Sequence, residues 1–166
     1  MATEEINNQQ PPEIFEFPGD WQPYEDALFK IFQDTIVDGG LTFLGLPIKT
    51  RYFEPTKGKH YTFWHIITEG EKESERTPDL RRCERISWIA WVIKNHETHP
   101  KISYWESKRK SNKNFVIWYE EGQFVVILSK RSTKFVLLSA YHVTNVHRIQ
   151  SFKRERDNYR KNSPKS

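Results

Sequence analysis

The sequence predicts an α+β fold in a single domain, with helices set against a mostly antiparallel sheet. Three observations carry this. Short runs rich in Val, Ile and Phe, at Phe115–Trp118, Phe124–Leu128 and Phe135–Leu138, are broken by Glu120-Glu121-Gly122 and Lys130-Arg131-Ser132. Such runs suit a pleated surface and such breaks suit tight turns. Apolar residues recur at three and four positions among Tyr24, Ala27, Leu28, Ile31, Phe32 and Thr35, and again from Leu80 to Ile93, which is the period of a helix. A last helical stretch, from Thr144, is dense in Arg and Lys. Helices and strands that segregate along the chain in this way give α+β rather than alternating α/β.

Taken in order, Met1 to Pro12 is polar and offers nothing to bury, and residues 1–20 are expected to be a disordered acidic tail. The domain runs over 21–161, and 162–166 form a second tail. The first helix begins near Pro23 and stops at Asp38-Gly39-Gly40. Leu41–Pro47 and Ile48–Phe53 read as extended pieces, and Gly58 marks a turn. Tyr61–Ile67 reads as a strand, with Tyr61, Phe63, His65 and Ile67 alternating against Thr62, Trp64 and Ile66. His65 is then either a core histidine satisfied by a hydrogen bond or a catalytic group.

Glu69–Glu75 is a charged loop. Thr77-Pro78-Asp79 then starts a helix to about Asn95, with Thr77 as its cap. Leu80, Cys83, Ile86, Ile89, Ala90 and Ile93, widened by the tryptophans, make this a buried helix. Arg81, Arg82 and Arg85 crowd its first turns, against the macrodipole, and call for either Asp79 and Glu84 or a bound phosphate as counter-charge. Ile102–Trp105 is a strand, and Lys108-Arg109-Lys110-Ser111-Asn112-Lys113 a basic loop. The three apolar runs follow, the last ending in Ser139-Ala140-Tyr141-His142. The terminal helix, capped by Thr144 or Asn145, turns Val146, Ile149, Phe152 and Tyr159 inward and carries Arg148, Lys153, Arg154, Arg156, Arg160 and Lys161.

Charge and composition narrow the chemistry. The net charge is +4, but the first 26 residues hold seven acids and no Lys or Arg, which leaves the rest at +11. A basic body favours a polyanionic partner. The lone Cys83 cannot form an internal disulfide, which suits a reducing compartment, and the cytoplasm is the expected location. The longest apolar run, Trp88–Ile93, is far short of a membrane helix. There is no Gly-rich phosphate loop, HExxH, CxxC or GxSxG, and no acidic cluster for a divalent ion. Neither cofactor nor metal is expected. The His, Arg, Lys, Ser and Tyr that remain suit cleavage of RNA, whose own 2′-hydroxyl is the nucleophile, so the protein need only move protons and stabilise charge.

Phe63-Trp64-His65, the run Asp79-Leu80-Arg81-Arg82-Cys83-Glu84-Arg85-Ile86 with Trp88, Trp105, Val125-Val126-Ile127-Leu128 with Arg131, and Leu138-Ser139-Ala140-Tyr141 resemble phage- and plasmid-associated proteins of the barnase/EndoU/colicin/RelE-like nuclease superfamily. The resemblance spans roughly residues 21–160. It implies a curved sheet, a metal-independent toxin-like ribonuclease and an antitoxin or immunity partner. It makes His65 a general acid or base, makes Arg82 or Arg85 and Arg131 phosphate ligands, and places Ser139 and Tyr141 at the scissile group. Ser139 stands where the family pattern has Thr. The expected site therefore comprises His65, Arg82, Ser139 and Tyr141 as catalytic groups, with Arg81, Arg85, Lys108, Arg109, Lys110, Lys130, Arg131, Lys153 and Arg154 on the RNA, DNA being second choice. The alternative is a non-catalytic nucleic-acid-binding module with Tyr104, Trp105 or Trp118 as stacking platforms. A third reading has residues 1–26 cover the basic cleft or dock on a partner.

Overall fold

The computed structural model describes residues 10–51, 55–109 and 112–162, with the side chains of Lys108, Arg109 and Asn112 excepted. Helix α1 (Trp21–Phe32) passes into a π-turn at Gln33–Val37, followed by strands β1 (Thr42–Phe43) and β2 (Leu46–Lys49). Helix α2 (Tyr61–Ile67) leads to a small ribbon of β3 (Thr68–Glu69) and β4 (Thr77–Pro78), and then to helices α3 (Leu80–Glu84) and α4 (Ile86–Lys94). A meander of β5 (Ile102–Arg109), β6 (Asn112–Tyr119), β7 (Phe124–Lys130) and β8 (Phe135–His142) precedes helix α5 (Val146–Asn162). The main sheet has the order β1-β2-β8-β7-β6-β5. It is antiparallel except where Ile48 and Lys49 of β2 run parallel to Phe135 and Val136 of β8. The α+β fold is as expected.

The runs in β6 and β7 are apolar at every position because both faces of the sheet are covered. Phe115, Ile117, Tyr119, Phe124, Val126 and Leu128 face the larger core, built with α1, α2 and α4. Val116, Trp118 and Val125 face the other way and, with Trp105, meet Phe152 of α5. Gly122, between β6 and β7, is required by this packing: a Cβ there would lie 2.6 Å from the Tyr119 ring and 2.7 Å from that of Trp88.

Several expectations change. Tyr61–Ile67 is a helix and not a strand. Thr62, Phe63, Ile66 and Ile67 are its buried side, a helical spacing that an unbroken apolar run conceals. Two arginines stabilise its C-terminal end: Arg76 and Arg82 both donate to the carbonyls of His65 and Thr68, the end at which cations suit the macrodipole.

The helix expected from Pro78 to Asn95 is two helices, because Arg85 leaves the helical region at φ −104°, ψ 18°. Its cap is Asp79, whose side chain accepts from the Arg81 N–H, while Thr77 and Pro78 pair with Glu69 and Thr68. The break has a cause in the N-terminal segment. The Phe15 N–H donates to the Glu84 carbonyl at 2.8 Å, and Trp88 N–H turns to Arg85 instead. The expected disordered tail is therefore corrected for residues 12–20. Trp88 Nε1 donates to the Pro12 carbonyl and Tyr24 Oη to that of Phe15, and Phe15 and Phe17 pack on the core. Pro12, Phe15 and Phe17 give this segment the apolar and backbone anchors that its charge pattern hides, while Glu13, Glu16 and Asp20 stay exposed. Residues 1–9 and 163–166 lie outside the described residues.

Trp105 and Trp118 are fully buried and Tyr104 packs against Phe43 and His96, so none of the three offers a stacking face. Leu80 and Val146, expected to face inward, are exposed. Among the described residues no helix is long and apolar enough to cross a membrane.

Candidate functional site

The polar finish of β8 is placed by a β-bulge. Leu128 pairs with Leu137 but Ile127 with Ser139, which leaves Leu138 as an extra residue. Simple alternation puts Ser139 and Tyr141 on the face of Phe135 and Leu137. The extra residue reverses them. Phe135, Leu137 and Ala140 enter the larger core, while Ser139 and Tyr141 share the opposite face with their partners Ile127 and Val125. That is the face on which α5 lies.

Helix α5 brings its own groups to Tyr141. Asn145 Oδ1 accepts from the Arg148 N–H and caps the first turn. Arg148, Phe152 and Glu155 follow at four and seven residues and so share one side of the helix. The Arg148 guanidinium lies 5.6 Å from the Phe152 ring centroid. Glu155 Oε2 accepts from the buried Trp105 Nε1 at 2.9 Å. Tyr141, Arg148 and Glu155, with Ser107 and Asn114, line a cavity of about 100 Å³. It adjoins, through Tyr141 and Arg148, an open pocket of about 430 Å³ whose walls include His142, Asn145, His147 and Ser151. Asn114 Oδ1 is buried without a hydrogen-bond partner. From the side of α3, the Arg82 guanidinium stands over the Tyr141 ring, 5.3 Å from its centroid. A phenol, a carboxylate and a guanidinium thus share one cavity at the strand end, with Arg82 over the Tyr141 ring but lining neither cavity.

Of the expected catalytic groups, Arg82 and Tyr141 come together there. Ser139 is half-buried on the same face, two residues before Tyr141, and lines neither cavity. His65 contributes its backbone carbonyl to Arg82 at 3.1 Å, but its imidazole lies in a different pocket, bonded through Nε2 to Glu73 Oε1 at 2.8 Å. Arg82 meets Asp79 and Arg85 meets Glu84, each at 3.4 Å, so carboxylates of the chain itself supply the counter-charge that these two cations call for. Arg81 is exposed.

The other basic residues are dispersed. Lys130 pairs with Phe135 while Val125 pairs with Tyr141. Those five steps of β7 put the Lys130–Arg131 turn roughly 17 Å from the cleft at about 3.3–3.4 Å per residue. Lys108 and Arg109 continue β5, paired with Lys113 and Asn112, so strand pairing extends into the expected loop; their side chains, and Lys110 altogether, lie outside the described residues. Lys153 approaches Glu120 at 3.8 Å and Arg154 is exposed. Glu155, Asn114 and His147 were not among the expected site residues. The signal for Glu155 is its seven-residue spacing from Arg148.

Burial lowers the pKa of His60, His65 and His142 from the usual 6.5, with the guanidiniums of Arg85 and Arg81 adding at His142 and that of Arg76 at His65. Between the depressed folded values and 6.5 the unfolded chain binds more protons, so stability rises with pH there and falls as pH drops through 6.5 toward the folded values. Thermal melts from pH 7.5 to 5.5 are expected to show a falling midpoint, and His142→Asn to flatten that slope. An equal slope in the variant would remove His142 as a contributor. Burial also pushes the Cys83 thiol up to about 12, so it is no nucleophile near neutral pH.

Among the described residues no three His, Cys, Asp or Glu side chains converge as a metal site. No protein-family model matches the chain, and neither a curated protein nor a solved structure does.

Proposed function

We propose that this chain is a ribonuclease that cleaves RNA at the Tyr141–Arg148 cleft, using the substrate's 2′-hydroxyl as nucleophile and no metal ion. The observation that carries the reading is the meeting in one cavity of Tyr141 from β8 with Arg148 and Glu155 from α5, the Tyr141 ring being covered by Arg82 from α3. Each supplies a role the reaction requires. The Glu155 carboxylate takes the 2′-hydroxyl proton, the Tyr141 phenol protonates the departing 5′-oxygen, and the Arg148 guanidinium offsets the charge that develops on phosphorus, while Arg82 covers the Tyr141 ring. The open pocket beside His147 leaves room for the flanking nucleotide. The motif resemblance to the barnase/EndoU/colicin/RelE-like superfamily points the same way, with the base supplied from α5 in place of His65.

The test is incubation of the purified protein with labelled single-stranded RNA in EDTA, beside Tyr141→Phe. Fragments ending in 2′,3′-cyclic phosphate, formed at least about 100-fold more slowly by the variant, are expected. Salt-sensitive binding with no cleavage by the unaltered protein on a mixed-sequence RNA pool would replace this reading with that of a nucleic-acid-binding module.

A further inference from the structure

A second pocket lies on the outer side of α2. It measures about 690 Å³ and is lined by Arg51, Tyr61, Trp64, His65, Glu73 and Arg76 among others, sharing no residue with the cavities at Tyr141. That volume is within the range of about 300–1,000 Å³ that small-molecule sites occupy.

Its interior is built around one acceptor. Glu73 Oε1 is bonded by Tyr61 Oη at 3.0 Å and by His65 Nε2 at 2.8 Å. The two rings are held against each other by the helix, tilted by 34° with centroids 4.4 Å apart, as a four-residue separation allows. The Arg51 guanidinium covers Tyr61 at 4.6 Å, and among the described residues it makes no ion pair. Arg76 is committed to the carbonyls of Gly70, His65 and Thr68 and to Thr68 Oγ1, so it is a fixed positive charge beside the pocket. Against these, Glu73 is the one acidic group in the lining among the described residues, and it stands on the surface. Its side chain is 63% exposed and it sits on a single 3₁₀ turn, Glu73–Glu75, whose residues are not buried. The donors Tyr61 and His65 are fixed on the helix and Arg76 is fixed by its carbonyl bonds, while the anion that satisfies the donors is on a surface turn.

We propose that this pocket is a binding site for a nucleoside phosphate, whose phosphate takes the place of the Glu73 carboxylate between Tyr61, His65 and Arg51. A phosphate monoester presents acceptor oxygens to the same two donors and adds charge that Arg51 can pair bidentately. The base lies against Trp64, which is half-buried and whose Nε1 is already bonded to the Thr56 carbonyl, leaving the indole to act by its face. The site is independent of the cleavage reading. It serves either a free nucleotide or the phosphorylated end of an RNA.

Calorimetric titration of the full chain distinguishes these. Adenosine 5′-monophosphate is expected to bind, with inorganic phosphate and adenosine each weaker. Glu73→Gln, which withdraws the competing charge, is expected to tighten binding by about fivefold, and Arg51→Ala, at an exposed position, to weaken it by about tenfold. A 5′-phosphorylated 2′-O-methyl RNA trimer, which cannot be cleaved through its 2′-oxygen, tells an RNA end from a free nucleotide: tighter binding than the monophosphate assigns the RNA end, weaker binding the free nucleotide. No binding of either ligand by the unaltered chain and by Glu73→Gln would overturn the proposal, as would affinity unmoved by Arg51→Ala or equal affinity for inorganic phosphate.

Discussion

Replacing Glu155 by Gln is expected to slow RNA cleavage by about 10²–10⁴-fold, the range for loss of a positioned general base, with the thermal midpoint little changed. The two parts separate because Glu155 does two things. Its Oε2 accepts the Trp105 indole N–H, which a glutamine carbonyl also can, so the bond that fixes the side chain to the sheet survives. What is lost is the ability to take up a proton beside Tyr141 and Arg148. Measured as single-turnover rates on a labelled RNA, the loss should fall on the chemical step and leave RNA affinity near that of the unaltered protein. A rate within threefold of the original would remove Glu155 from the proposed mechanism and return the role of base to an imidazole. His142, whose pKa is depressed by burial and by Arg85 and Arg81, is the candidate, next to Tyr141 in the chain and lining the same open pocket.

The meander from Ile102 to His142 was legible from the sequence because its signal is local: β-branched and aromatic runs bounded by polar turns specify strands whatever lies around them. The same strands hid the orientation of the site. A bulge at Leu138 adds one residue to β8, and no residue type there announces it, yet it decides whether Tyr141 faces the core or the cleft. Tyr61–Ile67 failed for the opposite reason. With apolar or aromatic groups at nearly every position, periods of two and of 3.6 fit equally, and the choice was made by two arginines distant in sequence that satisfy the helix's last carbonyls. The break at Arg85 likewise depends on Phe15, whose N–H takes the Glu84 carbonyl. Local pattern therefore told which pieces exist, and long-range hydrogen bonds told how two of them end. Tyr141 and Arg82 were found together since each stood out by type. Glu155 stood out by nothing except its face of the helix.

Replacing Phe152 by Ala is expected to cost about 3–5 kcal/mol, as for other buried aromatic residues, and to detach α5 before the rest of the domain unfolds. Helix α5 carries a charged sequence, and Phe152 is its one fully buried residue. The ring lies 5.6 Å from Trp105 and 5.9 Å from Trp118 by centroid, filling the second core layer from the solvent side. What else fastens the helix is the partly buried Ile149 and Tyr159 on the same core layer and three polar contacts: Trp105 to Glu155 at 2.9 Å, Arg156 to Glu120 at 3.3 Å and Arg160 to Ser103 at 3.3 Å. The polar contacts are partly exposed and contribute on the order of 1 kcal/mol apiece, and Ile149 and Tyr159 are only partly buried, so loss of the Phe152 ring removes the largest single contribution to docking of the helix. Amide exchange across Val146–Asn162 should then quicken well above that of β6 and β7, and tryptophan fluorescence should report wetting of Trp105 and Trp118. Because Arg148 and Glu155 travel with the helix, RNA cleavage should be lost in the same variant, whereas nucleoside phosphate binding at Tyr61 and Arg51 should persist. If α5 amides and the β6–β7 amides open together, the second core layer is integral to the domain and the helix is no separable unit.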